Sequence, residues 1–167
     1  MNYIIRKSNK EDCYKLAHLV TIVWNETYKG IVPDEFLNNL YLNEKERATN
    51  SYNKFNELEN HQYILEVDNK IVGFINVGLP NETEYENCGE IHALYIMKEY
   101  QGNSFSKLLI DEGIKELKRL GCNKMIIGCL VVNPSNKFYE HIGGKFIKQR
   151  VFKKLGLLEN VYYFDKI

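Results

Sequence analysis

Residues Lys124 to Val132, Lys-Met-Ile-Ile-Gly-Cys-Leu-Val-Val, form a nearly continuous apolar run. A strand with one face in water alternates apolar and polar side chains, so a run without that alternation describes a central strand covered on both faces. Covering both faces takes further layers of secondary structure, and the chain is predicted to be one mixed α/β layer structure.

The flanking segments supply those layers. Tyr3 to Lys7 reads as a short strand, and Ser8 to Asp12 carries capping chemistry for a helix that runs to about Tyr28. Leu16, Leu19, Val20, Val23 and Trp24 recur at three- and four-residue spacing, one buried stripe, and Lys29-Gly30 ends that helix. Pro33 to Leu37 predicts a fresh helix with proline in its first turn, and Asn43 to about Leu58 is polar and helix-compatible. From His61 the period falls to two. Tyr63 to Val67, the turn Asp68-Asn69 and Ile71 to Val77 predict a β-hairpin, closed by a loop from Pro80 to Asn87.

Glu90 to Met97 reads as the next strand, Gln101 to Ser104 breaks the pattern, and a helix follows from about Phe105 to Leu120. After the apolar run, Asn133-Pro134-Ser135 caps a short helix, Asn136 to His141, which Gly143-Gly144 ends. Strands around Phe146 to Phe152 and Val161 to Phe164 close the chain. The order is β, helices, ββ, βαβ, αββ. No repeat, low-complexity tract or linker interrupts it, which predicts a single domain over residues 1–167.

Bulk properties narrow the function. The 167 residues are 44% hydrophobic and 26% charged, the balance of a soluble globular protein, and no apolar stretch approaches the ~18 residues of a membrane span. Met1 to Lys7 lacks the apolar core of a secretory signal, so a cytoplasmic protein without a membrane partner is expected. Cys13, Cys88, Cys122 and Cys129 make no C-x-x-C pair, so they are expected to be reduced, mostly buried thiols, with no metal site. Formal charge sums to zero without a basic stripe, which argues against nucleic acid and leaves a homodimer open.

Two segments, Leu94 to Leu109 (Leu-Tyr-Ile-Met-Lys-Glu-Tyr-Gln-Gly-Asn-Ser-Phe-Ser-Lys-Leu-Leu) and Asn133 to Gly144 (Asn-Pro-Ser-Asn-Lys-Phe-Tyr-Glu-His-Ile-Gly-Gly), resemble the GNAT (Gcn5-related N-acetyltransferase) family. The likeness extends to the element order and to Trp24 through Pro33. It implies an α/β (α+β) fold: a central, mixed, mostly antiparallel twisted sheet of about six to seven strands with helices on both faces. It also implies acetyl-coenzyme A as co-substrate and an amine of a small molecule or peptide as acceptor.

The turn from Gln101 to Ser106 lies between a strand and a helix start, where unpaired backbone N–H groups and the helix dipole favour an anion. In the family this loop, usually Gln/Arg-x-x-Gly-x-Gly/Ala, grips the coenzyme A pyrophosphate. Gln101, Gly102, Asn103, Ser104, Phe105 and Ser106 stand there in this chain, with Ser104 and Ser106 at the two small positions. Serine adds a Cβ where glycine lets backbone approach a ligand, yet it keeps its N–H and adds a hydroxyl that can donate to phosphate. By the same resemblance the backbone of Leu94, Tyr95 and Ile96 meets the thioester and pantetheine on a strand that bulges away from the apolar one.

Asn133, Tyr139 and Gly143 match the family's arrangement of an asparagine and a tyrosine ahead of a helix end and glycine. Amine attack on a thioester expels a thiolate, and a phenol, still protonated at neutral pH, can donate to that sulfur. Tyr139 is therefore the expected general acid. The acceptor arrives as ammonium and must lose a proton. Glu90 is the first candidate base, as some histone-acetylating members carry a glutamate there, with His92, directly or through water, as the alternative. Trp24 and Tyr28, one helical turn apart, either wall the acceptor site or pack as core aromatics. A non-catalytic coenzyme-A-binding or partner-binding module is the rival reading. A dinucleotide-binding domain is disfavoured because Gln101 to Ser106 lacks the G-x-G-x-x-G glycines.

Overall fold

The computed structural model describes residues 2–81 and 84–167. The expected loop from Pro80 to Asn87 includes Glu82 and Thr83, which lie outside the described residues. Seven strands form one mixed sheet: β1 (Tyr3–Lys7), β2 (Gln62–Val67), β3 (Lys70–Gly78), β4 (Cys88–Ile96), β5 (Lys124–Leu130), β6 (Lys145–Phe152) and β7 (Leu157–Phe164). Their order is β1-β2-β3-β4-β5-β7-β6. The pairs β1/β2, β2/β3, β5/β7 and β6/β7 are antiparallel, and β4/β5 is parallel. The helices are α1 (Cys13–Tyr28), α2 (Asp34–Leu42), α3 (Glu44–Lys54), α4 (Phe105–Arg119) and α5 (Asn136–His141). No helix among the described residues is long and apolar enough to cross a membrane.

The chain divides into two compact units, Met1–Asn76 with Ala93–Gly113, and Val77–His92 with Ile114–Ile167. In the first, α1 starts behind a capping box. Asn9 Oδ1 accepts from Asp12 N (3.1 Å) and Asp12 Oδ2 accepts from Asn9 N (2.8 Å), two orphan donors satisfied reciprocally. Leu16, Leu19, Val23 and Trp24 of its apolar stripe are buried. Asp68 and Asn69 adopt φ of 47° and 67°, the pair of left-handed residues that a two-residue hairpin turn requires between β2 and β3. Gly73 lets β3 run against its neighbour, since a Cβ there would sit 2.8 Å from Tyr95 O.

The second unit holds β5, whose Met125, Ile126, Ile127, Cys129 and Leu130 are all buried, as the apolar run demands. The strand is shorter than the run. Val131 and Val132 are 44% and 48% exposed and lie in the turn that leads to α5, tied by a bond from Asn133 N to Leu130 O. Other boundaries also shift. Pro33 caps α2 from outside instead of occupying its first turn, and the polar helix stops at Lys54, with a separate 3-10 turn over Glu57–Glu59. β7 begins at Leu157, four residues before the sequence signal.

All four cysteines are free and buried. Burial raises the Cys13 and Cys122 thiols, and burial together with the nearby Glu159 carboxylate pushes Cys129 up to about 12. The nucleophile in alkylation is the thiolate. Iodoacetamide at neutral pH should therefore leave the folded chain unmodified while the denatured chain takes four adducts. Intact-mass measurement checks this, and rapid labelling of the folded form would contradict it.

Candidate active site

In the first unit, β4 ends at Ile96 and a 3-10 turn (Lys98–Tyr100) leads into the loop ahead of α4. The loop's own amides shape it. Gln101 Nε2 donates back to Ile96 O (3.0 Å), and Asn103 Nδ2 donates to Tyr100 O (3.3 Å) and Gln101 O (3.4 Å). Gly102 and Ser104 both lie in the left-handed region, at φ of 81° and 62°. The bond from Leu108 N to Ser104 O opens the helical ladder, so the amides of Phe105, Ser106 and Lys107 precede any intrahelical acceptor. Phe105 anchors the turn, buried edge-on against Tyr3 at 5.4 Å between ring centroids. Ser104 is exposed and Ser106 half-buried.

A serine at positive φ costs about 1–2 kcal/mol relative to glycine, which has no Cβ to clash there. The substitution Ser104→Gly removes that strain, while the added freedom of the unfolded chain returns roughly half of the gain. A rise in Tm of about 1–3 °C is expected, readable by calorimetry. A fall would contradict the strained backbone.

Trp24 and Tyr28 are buried, at 6% and 5% exposure. Their rings lie 4.7 Å apart and Phe36 packs against Trp24 at 5.3 Å, its ring tilted by 57°. Trp24 Nε1 donates to the Tyr95 hydroxyl (3.1 Å), and Phe74 packs on the Tyr95 ring (5.4 Å). The aromatic pair of α1 thus fixes the side chain of the middle residue of Leu94-Tyr95-Ile96. Leu94 and Tyr95 are half-buried and Ile96 is buried. Glu26 Oε2 accepts from Lys98 N (3.0 Å), pinning the chain where it leaves β4.

In the second unit, Glu90 is buried at 6% exposure in the parallel register opposite Ile126. One of its oxygens takes a short bond from Arg150 Nη2, and the other stands 3.9 Å from Nδ1 of the exposed His92, an ion-pair distance longer than a hydrogen bond. Arg150 Nε also donates to Glu159 Oε1 (2.6 Å). Burial works against the Arg150 charge, but the two carboxylates outweigh it and hold the guanidinium above its ordinary value. Two glycines make room: a Cβ on Gly128 would meet Glu159 Oε2 at 2.5 Å and Arg150 Nη2 at 2.8 Å, and one on Gly78 would meet His92 Nε2 at 3.1 Å.

Tyr139 is the buried residue of α5, at 7% exposure, with its ring 5.4 Å from Phe138 and 5.9 Å from Tyr162. Ser135 makes no side-chain cap. Asn133 Oδ1 instead accepts from Ser135 N (2.8 Å) and forms the turn that starts the helix. Asn136 ties that turn to β5 and β7. Its Nδ2 donates to Asn133 O (2.7 Å) and Leu130 O (2.9 Å), while its Oδ1 accepts from the Tyr162 hydroxyl (2.8 Å) and Asn160 Nδ2 (3.0 Å). Gly143, at φ of 100°, ends the helix, and Gly144 passes so close to Phe164 that a Cβ would lie 2.8 Å from its ring.

Arg150, Glu159, Asn136 and Phe36 join the candidate side chains only through the structure. Arg150 and Glu159 are direct partners across the β6/β7 hairpin. A basic residue opposite an acidic one is a readable cross-strand signal once the hairpin register is known.

The model of the acetyltransferase (GNAT) family matches residues 24–144, more than half of the chain. The chain belongs to the GNAT acetyltransferase family. This GNAT chain is 26% identical over 154 residues to an uncharacterised N-acetyltransferase, YuaI, of Bacillus subtilis, covering 92% of this chain and 86% of that one. It is 27% identical over 158 residues to a spermidine N(1)-acetyltransferase of Thermoplasma acidophilum, covering 92% and 89%. The same fold occurs in the PaiA N-acetyltransferase of Thermoplasma acidophilum, solved in complex with coenzyme A, with a TM-score of 0.72 at 22% identity over 100% of both chains. Membership makes this GNAT chain an acyltransferase by class and accounts for its mixed seven-stranded sheet.

Proposed function

We propose that the chain transfers acetyl from acetyl-coenzyme A to a primary amine of a small molecule or peptide by direct attack. The observation that carries this reading is the backbone from Gln101 to Ser106. It keeps two left-handed residues at the mouth of α4 even though one of them is serine. A strained φ of this kind persists only where its surroundings over-determine it, and such positions cluster at ligand clamps. In this reading the amides from Gly102 to Ser106 receive the pyrophosphate, with Gln101 and Asn103 bracing the loop from within.

The amine nitrogen attacks the acetyl carbonyl carbon, the C–S bond breaks, and the Tyr139 hydroxyl gives its proton to the departing sulfur. Backbone amides of Leu94 to Ile96 steady the oxyanion. Arg150 holds one oxygen of Glu90, so the proton leaving the amine goes to His92, and Glu90 supplies the counter-charge behind the imidazolium. Asn133 sets the start of the helix that carries Tyr139. Trp24 and Tyr28 act on the acceptor side through Tyr95, whose hydroxyl Trp24 holds.

Thiol release measured over an amine panel tests the reading, with spermidine first because one relative is named for it. Amino acids and peptides with free N-termini complete the panel. Turnover with at least one amine is expected. Saturable binding of acetyl-coenzyme A with no thiol released by any amine would overturn the catalytic assignment.

A further inference from the structure

α5 is six residues long, far short of what holds a helix together in water, so bonds from outside it set its place. Behind it, Gly144 N donates to Tyr139 O (2.9 Å). At its start a single side chain makes the ties. Besides Leu130 O and Asn133 O, Asn136 Nδ2 reaches Val131 O (3.3 Å), while its Oδ1 accepts from both the Tyr162 hydroxyl and Asn160 Nδ2. Gln149 Nε2 donates in turn to Asn160 Oδ1 (3.0 Å), so the bonds along the row point one way and the Asn136 amide has one orientation. Asparagine is a poor helix former, and helix propensity does not explain its presence here. Its chemistry does: donors toward the carbonyls and an acceptor toward the phenol, a set that neither aspartate nor leucine supplies.

Asn136 and Tyr139 stand three residues apart and so share a face of α5. Tyr162 joins them from β7. It is 1% exposed, its hydroxyl is held by Asn136, and its ring lies 5.9 Å from that of Tyr139, tilted by 32°. Sealed in this way, Tyr162 is no second proton donor to a bound thioester. It is a wall for the Tyr139 ring. Phenylalanine would make the same wall, and the hydroxyl adds the bond that fastens it to the helix carrying Tyr139.

We propose that Asn136 and Tyr162 are positioning residues for acyl transfer: their bond locks α5 to the wall behind Tyr139 and sets where the Tyr139 hydroxyl points. The proposal rests on the acyl-transfer reading above, in which that hydroxyl protonates the departing sulfur. Neither residue touches the reacting atoms. Proton donation demands hydrogen-bond reach, and a misplacement of about 1 Å lowers a rate by as much as about 10²-fold.

The test is a double-mutant cycle on the single-turnover rate of acetyl transfer from acetyl-coenzyme A to spermidine, or to the fastest amine of the panel. Tyr162→Phe keeps the ring, and Asn136 Oδ1 keeps its bond from Asn160, so this variant retains the fold. The rate is expected to fall about three- to tenfold in Tyr162→Phe and at least about tenfold in Asn136→Ala. Calorimetry should show coenzyme A bound by Tyr162→Phe within about twofold of wild type, because the carbonyl ties of Asn136 remain. In the Tyr139→Phe protein no hydroxyl is left to aim, and either change should lower the residual rate by less than about twofold. A purely structural role lowers the rate by the same factor in both backgrounds, and that result overturns the proposal. So does an unchanged rate in Tyr162→Phe, which decides alone if Asn136→Ala does not fold. If Tyr139→Phe transfers acetyl at the wild-type rate, or the wild type acetylates no amine, the acyl-transfer reading fails and the proposal with it. Equal losses in both backgrounds, with Tyr139→Phe itself impaired, overturn the positioning alone.

Discussion

Tyr139→Phe is expected to lower kcat by about 10²–10⁴-fold, the usual contribution of a positioned general acid, with little change in KM for acetyl-coenzyme A. The ring is buried between Phe138 and Tyr162, and phenylalanine keeps those contacts. Stability should therefore change by no more than about 1 kcal/mol, the net contribution of a single hydrogen bond. Steady-state thiol release together with a melting curve separates the two roles open to this side chain. A large loss of rate with an unchanged Tm marks the hydroxyl as chemical. A fully active variant would reduce Tyr139 to a packing residue.

Arg150→Met is expected to destabilise the fold by about 3 kcal/mol, at the low end for breaking a buried ion pair because the arginine itself is one-third exposed. The loss leaves Glu90 and Glu159, at 8% and 11% side-chain exposure, without the cation they share. For a chain of this length that corresponds to a fall in Tm of roughly 6–12 °C by calorimetry. Removing the stranded charges as well, in Arg150→Met with Glu90→Gln and Glu159→Gln, should recover most of it. If the single variant melts with the wild type, the three side chains are not coupled. If the triple variant melts as low as the single one, the cost comes from lost arginine packing and not from unpaired carboxylates.

The contrast between these residues shows what the sequence could reveal. The strands and the α1 helix were legible because period and capping are local: the alternation from Tyr63, the Asp68-Asn69 turn and the Asn9/Asp12 pair each lie within a few neighbouring residues. The start of α5 at Asn136 was legible as well, since Asn133 and Ser135 form a local turn. The end of α3 was not: the backbone turns extended at Phe55, with no glycine or proline there to announce it. The same distinction holds for the candidate site. Ser104 could be singled out by its position in a loop pattern, and its left-handed backbone is a local property. Arg150 and Glu159 meet Glu90 only after β6 and β7 pair, and the early strand start at Leu157 was hidden because Leu157 to Asn160 does not alternate cleanly. Glu90 could be named as a carboxylate on a strand, but its occupation by Arg150, which turns attention to His92, is a long-range fact.

The assignment of acetyl-coenzyme A to the loop ahead of α4 can be measured without knowing the acceptor. Coenzyme A is titrated calorimetrically into the wild type and into Ser106→Asp, which sets a carboxylate among amides expected to face phosphate. One-to-one binding in the wild type, weakened at least about tenfold in the variant, is the predicted result. No binding heat in the wild type, or equal affinity in both proteins, would contradict it.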